Sequence, residues 1–229
     1  FFAERATSKL PDIPGDTQPR DISSAGVIGA GTMGGGIAMC FANAGIAVLI
    51  HDNDPDGLER GLKVIAGNYA RTVAKGRLSQ QEMDKRMALI QPAERLDELG
   101  DADVVIEAVY ENLDLKKEIF ARLDTIVKPG ALLATNTSGL DVDAIAASTS
   151  RPEFVCGMHF FSPANVMKLL EVVKGEKSSP AALGTAMALG KRLGKVSVMA
   201  GNCPGFIGNR MIGGYSHQAN LMILEGASP

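Results

Sequence analysis

Val27-Ile28-Gly29-Ala30-Gly31-Thr32-Met33-Gly34 is an apolar run that ends in three glycines spaced G-x-G-x-x-G. A small-residue segment, Gly35 to Ala44, follows it, then a second apolar run, Ile46 to Ile50, then Asp52. Strand, glycine turn, helix, strand and acid, in that order, make a dinucleotide-binding βαβ unit. Gly29 permits the tight turn, Gly31 lets a pyrophosphate approach the backbone, and Gly34 lets the helix pack close to the strand. Thr32 and Met33 open the helix, whose free N–H groups and partial positive charge suit phosphates. Asp52 lies 21 residues beyond Gly31, near the spacing expected of an acid that accepts from a ribose 2′-hydroxyl. A carboxylate there repels a 2′-phosphate, which favours NAD over NADP. A chance glycine turn is the alternative; the flanking strand and helix and the acid in place weigh against it.

The 229 residues suffice for one large or two modest domains with a real core. A net charge of −3 gives no broad basic surface, so nucleic acid is not an expected partner. Cys40, Cys156 and Cys203 are an odd count without metal-ligand spacing; they are expected to be reduced thiols in an intracellular protein, and no metal is expected. No apolar run approaches the ~18 residues of a membrane span, and the N-terminus has no signal-peptide pattern. The first residue is Phe1 rather than Met, so the chain is expected to be a piece of a longer polypeptide.

Residues 1–22 combine a possible short helix, Phe1 to Leu10, with a loop holding Pro11, Pro14, Gly15 and Pro19; this is expected to be a linker. From Ser24 onward strand and helix patterns alternate. Leu58, Leu62, Ile65 and Tyr69 form one stripe of a helix over Gly57 to Lys75. Ser79 to Glu82 spells a capping box that opens a second helix to about Ile90. These two form a helical excursion from the sheet, with Lys63, Arg71, Lys75 and Arg77 either facing an anionic substrate or simply solvated. Asp103 to Val109 is a continuous apolar run of the kind that forms a buried parallel strand. A helix with Leu115, Ile119, Leu123 and Ile126 follows, ended by Pro129-Gly130. Strands are then expected over Ala131 to Thr135, Phe154 to His159, Lys168 to Val173 and Lys195 to Met199, with a helix from Pro180 to Leu193 between the last two. Pro204 onward changes character and predicts one long helix, with Pro204 in its first turn. The whole is α/β: a Rossmann-type doubly wound, mostly parallel sheet with a helical excursion, followed by the start of a helical domain.

A dinucleotide fold alone names no reaction. His159-Phe160-Phe161-Ser162-Pro163 ends a strand at a turn, and Glu171 lies twelve residues further on inside the run Leu169 to Val173. A carboxylate in such a strand needs a partner, because unpaired burial of a charge is costly. A chain that turns back after Pro163 brings Glu171 beside His159. The pair suits a dyad in which the imidazole takes a proton from an alcohol and the carboxylate orients the ring. A core histidine and a structural ion pair are the bland alternatives. Asn136-Thr137-Ser138 follows a strand end, where short polar side chains suit a substrate or cofactor oxygen. Asn209 and Arg210, near the start of the last helix, are site residues or plain helix polar residues.

Five pieces, in order, are similar to the L-3-hydroxyacyl-CoA dehydrogenase family: Gly29 to Gly34, Glu107-Ala108-Val109-Tyr110-Glu111-Asn112, Asn136-Thr137-Ser138, His159 to Pro163 through Glu171-Val172-Val173, and Pro204 to Arg210. The resemblance spans about residues 24–229. It implies NAD-dependent oxidation of (S)-3-hydroxyacyl-CoA to 3-ketoacyl-CoA in fatty-acid β-oxidation, with His159 as general base and Glu171 as its partner. Ser138 and Asn209 are implied to contact substrate, Glu111 and Lys116 to lie by the cofactor, and Lys75 to contact CoA. Phe1 to Arg5 also resembles the junction of bifunctional enzymes that join an enoyl-CoA hydratase to this dehydrogenase. The resemblance therefore implies that residues 1–22 link to a preceding hydratase domain. Residues 23–203 would bind NAD, and 204–229 would begin a helical domain that is cut short and often completes a homodimer. The setting implied is the cytoplasm in a bacterium, or the peroxisome in a eukaryote. Another NAD-dependent hydroxy-acid dehydrogenase, of the 3-hydroxyisobutyrate type, would be expected to use a lysine base. A module that binds NAD without turnover is the remaining alternative.

Overall fold

Eight short segments, most of them apolar, pair into one sheet in the order β3-β2-β1-β4-β5-β6-β7-β8. They are β1 (Ser24–Ile28), β2 (Ala47–His51), β3 (Ile90–Ala93), β4 (Val104–Glu107), β5 (Leu132–Thr135), β6 (Val155–Phe160), β7 (Leu169–Lys174) and β8 (Val196–Gly201). The computed structural model describes residues 6, 7 and 13–228. The short helix expected over Phe1–Leu10 falls outside them, Ala6 and Thr7 apart.

Every neighbouring pair is parallel except β6–β7. Side chains alternate between the faces. Val104 and Ile106 join one buried cluster with Val27, Ile50 and Phe41, whereas Val105 joins another with Leu99, Phe120 and Leu123. Both faces are therefore dry, as a parallel sheet requires. One face is covered by α1 (Thr32–Asn43), α2 (Pro55–Ala74) and α6 (Pro180–Arg192). The other is covered by α4 (Leu113–Ile126) and the short α5 (Val142–Ala146). The remaining helices are α3 (Gln80–Ala88) and α7 (Gly208–Leu224).

The helix starts follow their capping residues. Asp54 accepts from Asp56 N at the head of α2, Ser79 from Glu82 N at α3, Asn112 from Leu115 N at α4 and Ser179 from Ala182 N at α6. No side chain caps α1, and its first turn holds no acid.

Three expectations need correction. The second excursion helix stops at Ala88, and Ile90–Ala93 is a strand paired with β2. Its Pro92 is tolerated because β3 is an edge strand. The last helix begins at Gly208, so Pro204 lies in the turn before it. Helix α5 is an element the sequence reading lacked. Helix α7 is solvent-exposed from Asn209 onward, including Met211, Tyr215 and Leu224. Among the described residues, no helix is long and apolar enough to cross a membrane.

Candidate active site

The strand order reverses between β1 and β4, so the connections after these two strands leave in opposite directions and open a crevice at the strands' C-terminal edge. The glycine turn forms one lip. Gly29 has φ +96°, and a Cβ there would stand 2.7 Å from the Ala108 carbonyl oxygen. A Cβ on Gly34 would stand 1.7 Å from the Gly29 oxygen, so the helix can approach the strand only without one. Gly31 differs: a Cβ would meet no atom of the chain within 4 Å. Packing of the chain itself thus does not demand glycine at this position, which lies at the uncapped head of α1 beside Thr32 and Met33. Open approach plus unpaired N–H groups and the positive helix end fit a pyrophosphate.

Asp52 follows β2. Its Oδ2 accepts from Ala30 N at 2.7 Å and its Oδ1 from Asp54 N at 3.0 Å. It therefore ties the glycine turn to β2, a role its spacing did not reveal. Each carboxylate oxygen keeps a further lone pair, so acceptor capacity for ribose hydroxyls remains. Turn, helix head and acid together fit a dinucleotide.

The second lip is built by the segments after β4 and β5. Glu111 Oε1 accepts from the Thr137 hydroxyl at 2.7 Å, from Ser138 N at 2.7 Å and from the Ser138 hydroxyl at 2.9 Å. Burial works to raise the Glu111 pKa, but these three donors and the Lys116 ammonium outweigh it and hold the carboxyl below its ordinary value. Lys116 points inward rather than into the crevice. Its side chain is 1% exposed, and Nζ lies 2.6 Å from Glu107 Oε1 and 3.5 Å from Glu111 Oε2.

His159 is the penultimate residue of β6, and in the antiparallel register it stands directly opposite Glu171 of β7. The antiparallel pairing is what turns a spacing of twelve residues into contact, with Nδ1 2.8 Å from Glu171 Oε2. A carboxylate only accepts, so the shared proton sits on Nδ1 and the Nε2 lone pair is free to take another. Nε2 makes no hydrogen bond among the described residues. The other Glu171 oxygen accepts from Ile207 N at 3.2 Å and Gly208 N at 2.7 Å, at the head of α7. Phe161 packs on the imidazole at 4.4 Å between ring centroids, and Phe206 at 5.7 Å. Phe206 holds φ +45°, a left-handed conformation unusual for a bulky residue, with its side chain buried. The segment leading to it is anchored by Asn202, whose amide donates to Asp141 Oδ1 at 2.6 Å and Asp143 Oδ2 at 2.7 Å.

Two further bonds join the pieces. Asn136 Oδ1 accepts from Phe160 N at 2.8 Å, which ties the Asn136-Thr137-Ser138 segment to the strand of His159. Asn209 Nδ2 donates to the Ser138 carbonyl at 3.3 Å. Ser138, Glu111, Asn209, His159 and Glu171 thus share the edge that carries the glycine turn and Asp52. Lys75 does not join them. Helix α2 runs beside α1 until Tyr69 donates to Asn43 Oδ1 at the last residue of α1, and exposed Lys75 lies beyond that point. Lys63 pairs with Glu59 on the solvent face. Phe161, Phe206, Asn202 and the two backbone donors on Glu171 escaped the sequence reading. Reading Pro204 as the first turn of a helix hid both the bend before α7 and what that bend grips.

Comparison with known proteins accords with this geometry. The chain is 48% identical over 233 residues to the peroxisomal bifunctional enzyme of Danio rerio, covering 100% of this chain and 32% of that protein. It is 37% identical to the fatty acid oxidation complex subunit alpha of Psychrobacter cryohalolentis, over 99% of this chain and 31% of that one. The chain thus spans about a third of the length of these relatives. Among solved structures, (S)-3-hydroxybutyryl-CoA dehydrogenase from Ralstonia eutropha superposes with a TM-score of 0.89 at 37% identity, covering 91% of this chain and 74% of that one. A family model described as "3-hydroxyacyl-CoA dehydrogenase, NAD binding domain" matches residues 24–203, and the chain belongs to that family.

Proposed function

We propose that this chain is the NAD-binding, base-carrying part of an enzyme that oxidises (S)-3-hydroxyacyl-CoA to 3-ketoacyl-CoA in fatty-acid β-oxidation. We place it in a longer polypeptide joined to an enoyl-CoA hydratase, in the peroxisome of a eukaryote or the cytoplasm of a bacterium. The observation that carries the reading is the His159–Glu171 pair, 2.8 Å apart at the edge that bears the dinucleotide turn. NAD, when bound, supplies the hydride acceptor for this oxidation. The proton of the alcohol then needs its own acceptor near neutral pH, which suits an imidazole. Nε2 of His159 takes it, and Glu171 stabilises the imidazolium through Nδ1–H. In the reverse direction the same nitrogen returns the proton to the ketone oxygen. Ser138 and Asn209 hold the substrate oxygen, and Gly29, Gly31, Thr32, Met33, Gly34 and Asp52 hold the dinucleotide. Glu111 borders the cofactor, with Lys116 bracing it from within the wall. Lys75, displaced from the crevice, is proposed to meet the distant nucleotide end of CoA.

The test is oxidation of NADH by acetoacetyl-CoA in the full polypeptide that carries this chain. His159→Ala is expected to lose turnover on the order of 10²–10⁴-fold with NADH affinity unchanged. NADH binding without turnover in the wild type would instead leave a binding module.

A further inference from the structure

Glu107 takes no part in the chemistry above, yet its carboxylate ends the central strand β4 and is 0% exposed. Burying a charge there costs several kcal/mol unless it is fully partnered, and it is. Oε1 accepts from Lys116 Nζ at 2.6 Å and from Val109 N at 2.8 Å; Oε2 accepts from the Thr135 hydroxyl at 2.8 Å. Buried ion pairs add little stability over an apolar pair of the same shape, so stability alone does not account for this one.

Its connections do. Lys116 lies 3.5 Å from the free oxygen of Glu111, and the other oxygen of Glu111 holds the Ser138 N–H and hydroxyl. By a second route, Thr137 N donates at 3.3 Å to the same Thr135 hydroxyl that bonds Glu107. The segment after β4 and the segment after β5 thus both rest on one carboxylate.

We infer that Glu107 is a positioning residue: through Lys116 and Thr135 it sets where Glu111 holds Ser138, and so how well the acyl-CoA substrate is bound. The inference rests on the proposed function, which places substrate against Ser138. Without the negative charge, the Lys116 ammonium keeps Glu111 as its one remaining carboxylate. The Lys116 side chain is 1% exposed and that of Glu111 41%, so solvent screens the attraction between the two only in part. That attraction draws Glu111 inward, away from the Ser138 donors.

The test is steady-state kinetics with acetoacetyl-CoA and NADH, beside thermal unfolding, in the full polypeptide. Three variants are compared with wild type: Glu107→Gln, Thr135→Val, and Glu107→Gln combined with Lys116→Met. A merely structural role would lower the folded fraction and hence apparent kcat, leaving KM where it was. The positioning role raises the KM for acetoacetyl-CoA, and kcat/KM falls by up to the order of 10²-fold in the single Glu107→Gln variant. The double variant buries no unpaired charge, so its melting temperature returns towards wild type. With Lys116 gone nothing pulls Glu111 inward, but the free oxygen of Glu111 loses the ammonium that braced it, so KM stays high. It also decides the matter if Glu107→Gln alone does not fold. Wild-type KM in Thr135→Val and in the double variant would overturn the inference. A wild type that binds NADH but does not oxidise it would instead overturn the functional reading.

Discussion

Glu171→Gln separates the orienting role of this acid from its place in the core. The native carboxylate offers one oxygen to His159 Nδ1–H, at 2.8 Å, and the other to the N–H groups of Ile207 and Gly208, at 3.2 and 2.7 Å. Glutamine has one acceptor and one donor to place at the same two positions. With its NH₂ towards Ile207 and Gly208, two backbone donors face a third at hydrogen-bond distance. With its NH₂ towards Nδ1, only one bond changes sense, so this arrangement costs less. The imidazole must then accept at Nδ1 and carry its proton on Nε2, which is the wrong tautomer for a base. Turnover should fall on the order of 10²–10⁴-fold, as for other misoriented or missing acid–base groups. That is about 3–5 kcal/mol of barrier at 1.36 kcal/mol per factor of ten. The lost charged hydrogen bond removes a further ~1.5–3 kcal/mol of stability. NADH oxidation by acetoacetyl-CoA gives the first quantity, denaturant unfolding the second, and NADH fluorescence titration serves as the control. Turnover within about threefold of wild type, in protein shown to be folded, would refute the tautomer argument.

Asp52→Ala should narrow the gap between NAD and NADP dissociation constants. It should also weaken NAD itself, because Asp52 braces the glycine turn at Ala30 N; an unchanged preference would remove Asp52 from cofactor selection. Gly208→Ala puts a Cβ 2.9 Å from Phe161 Cζ and 3.2 Å from Cε1. Phe161 packs on the His159 ring, so turnover should drop with NADH affinity intact; a fully active variant would show that the ring yields freely. Asp103 and Asp124 give the acid limb of stability. Burial alone would raise the Asp103 pKa, but the Lys128 ammonium and donors from Ser23 and Ser24 hold it well below the ordinary carboxylate range. Asp124, likewise opposed by burial, is lowered by Ser150 and Arg151. A depressed folded-state pKa stabilises above the unfolded value of about 3.9 and is lost as pH falls below it. Melting temperature should therefore decline below about pH 4, and less steeply in Asp103→Asn; parallel declines would rule Asp103 out as a source.

The alternation of strands and helices was legible because buried parallel strands are continuous apolar runs and the helices carry spelled caps. The edge strand β3 was not. Ile90-Gln91-Pro92-Ala93 lacks such a run, and its proline argues against a strand unless the sheet is known to end there. The helix reading therefore ran on past Ala88. His159 and Glu171 were legible for an energetic reason, since an acid inside an apolar strand needs a partner. The same argument applied to Glu107, the acid that ends Val104-Val105-Ile106, but its partner Lys116 lay on a helix. Spacing along a helix does not say whether a lysine reaches inward or out. The start of α7 was misplaced because Pro204 is a common first-turn residue. The chain instead spends Cys203 to Ile207 on a turn, at whose end the N–H of Ile207, with that of Gly208 beside it, faces Glu171, a contact set by tertiary structure alone.

The reversal of strand direction at β7 is what allows an imidazole and a carboxylate to meet at this edge. Parallel neighbours need a crossover of a dozen or more residues and bring strand ends of the same polarity together. An antiparallel neighbour returns at once, and its side chains stand opposite those of the first strand on the same face. Glu171 thereby meets His159 with one oxygen while the other is left for a third element. That element is the head of α7, through the backbone of Ile207 and Gly208. The carboxylate is consequently fixed from two sides, by the sheet register and by the helix head. The first is secured by the buried core of the sheet. The second depends on a turn with Phe206 at φ +45°, its side chain buried among Val142, Val173 and Ala200, and on the half-buried first residue of a helix that is exposed from Asn209 onward. A shift of α7 relative to the sheet must therefore change the donors on Glu171 before it disturbs any strand.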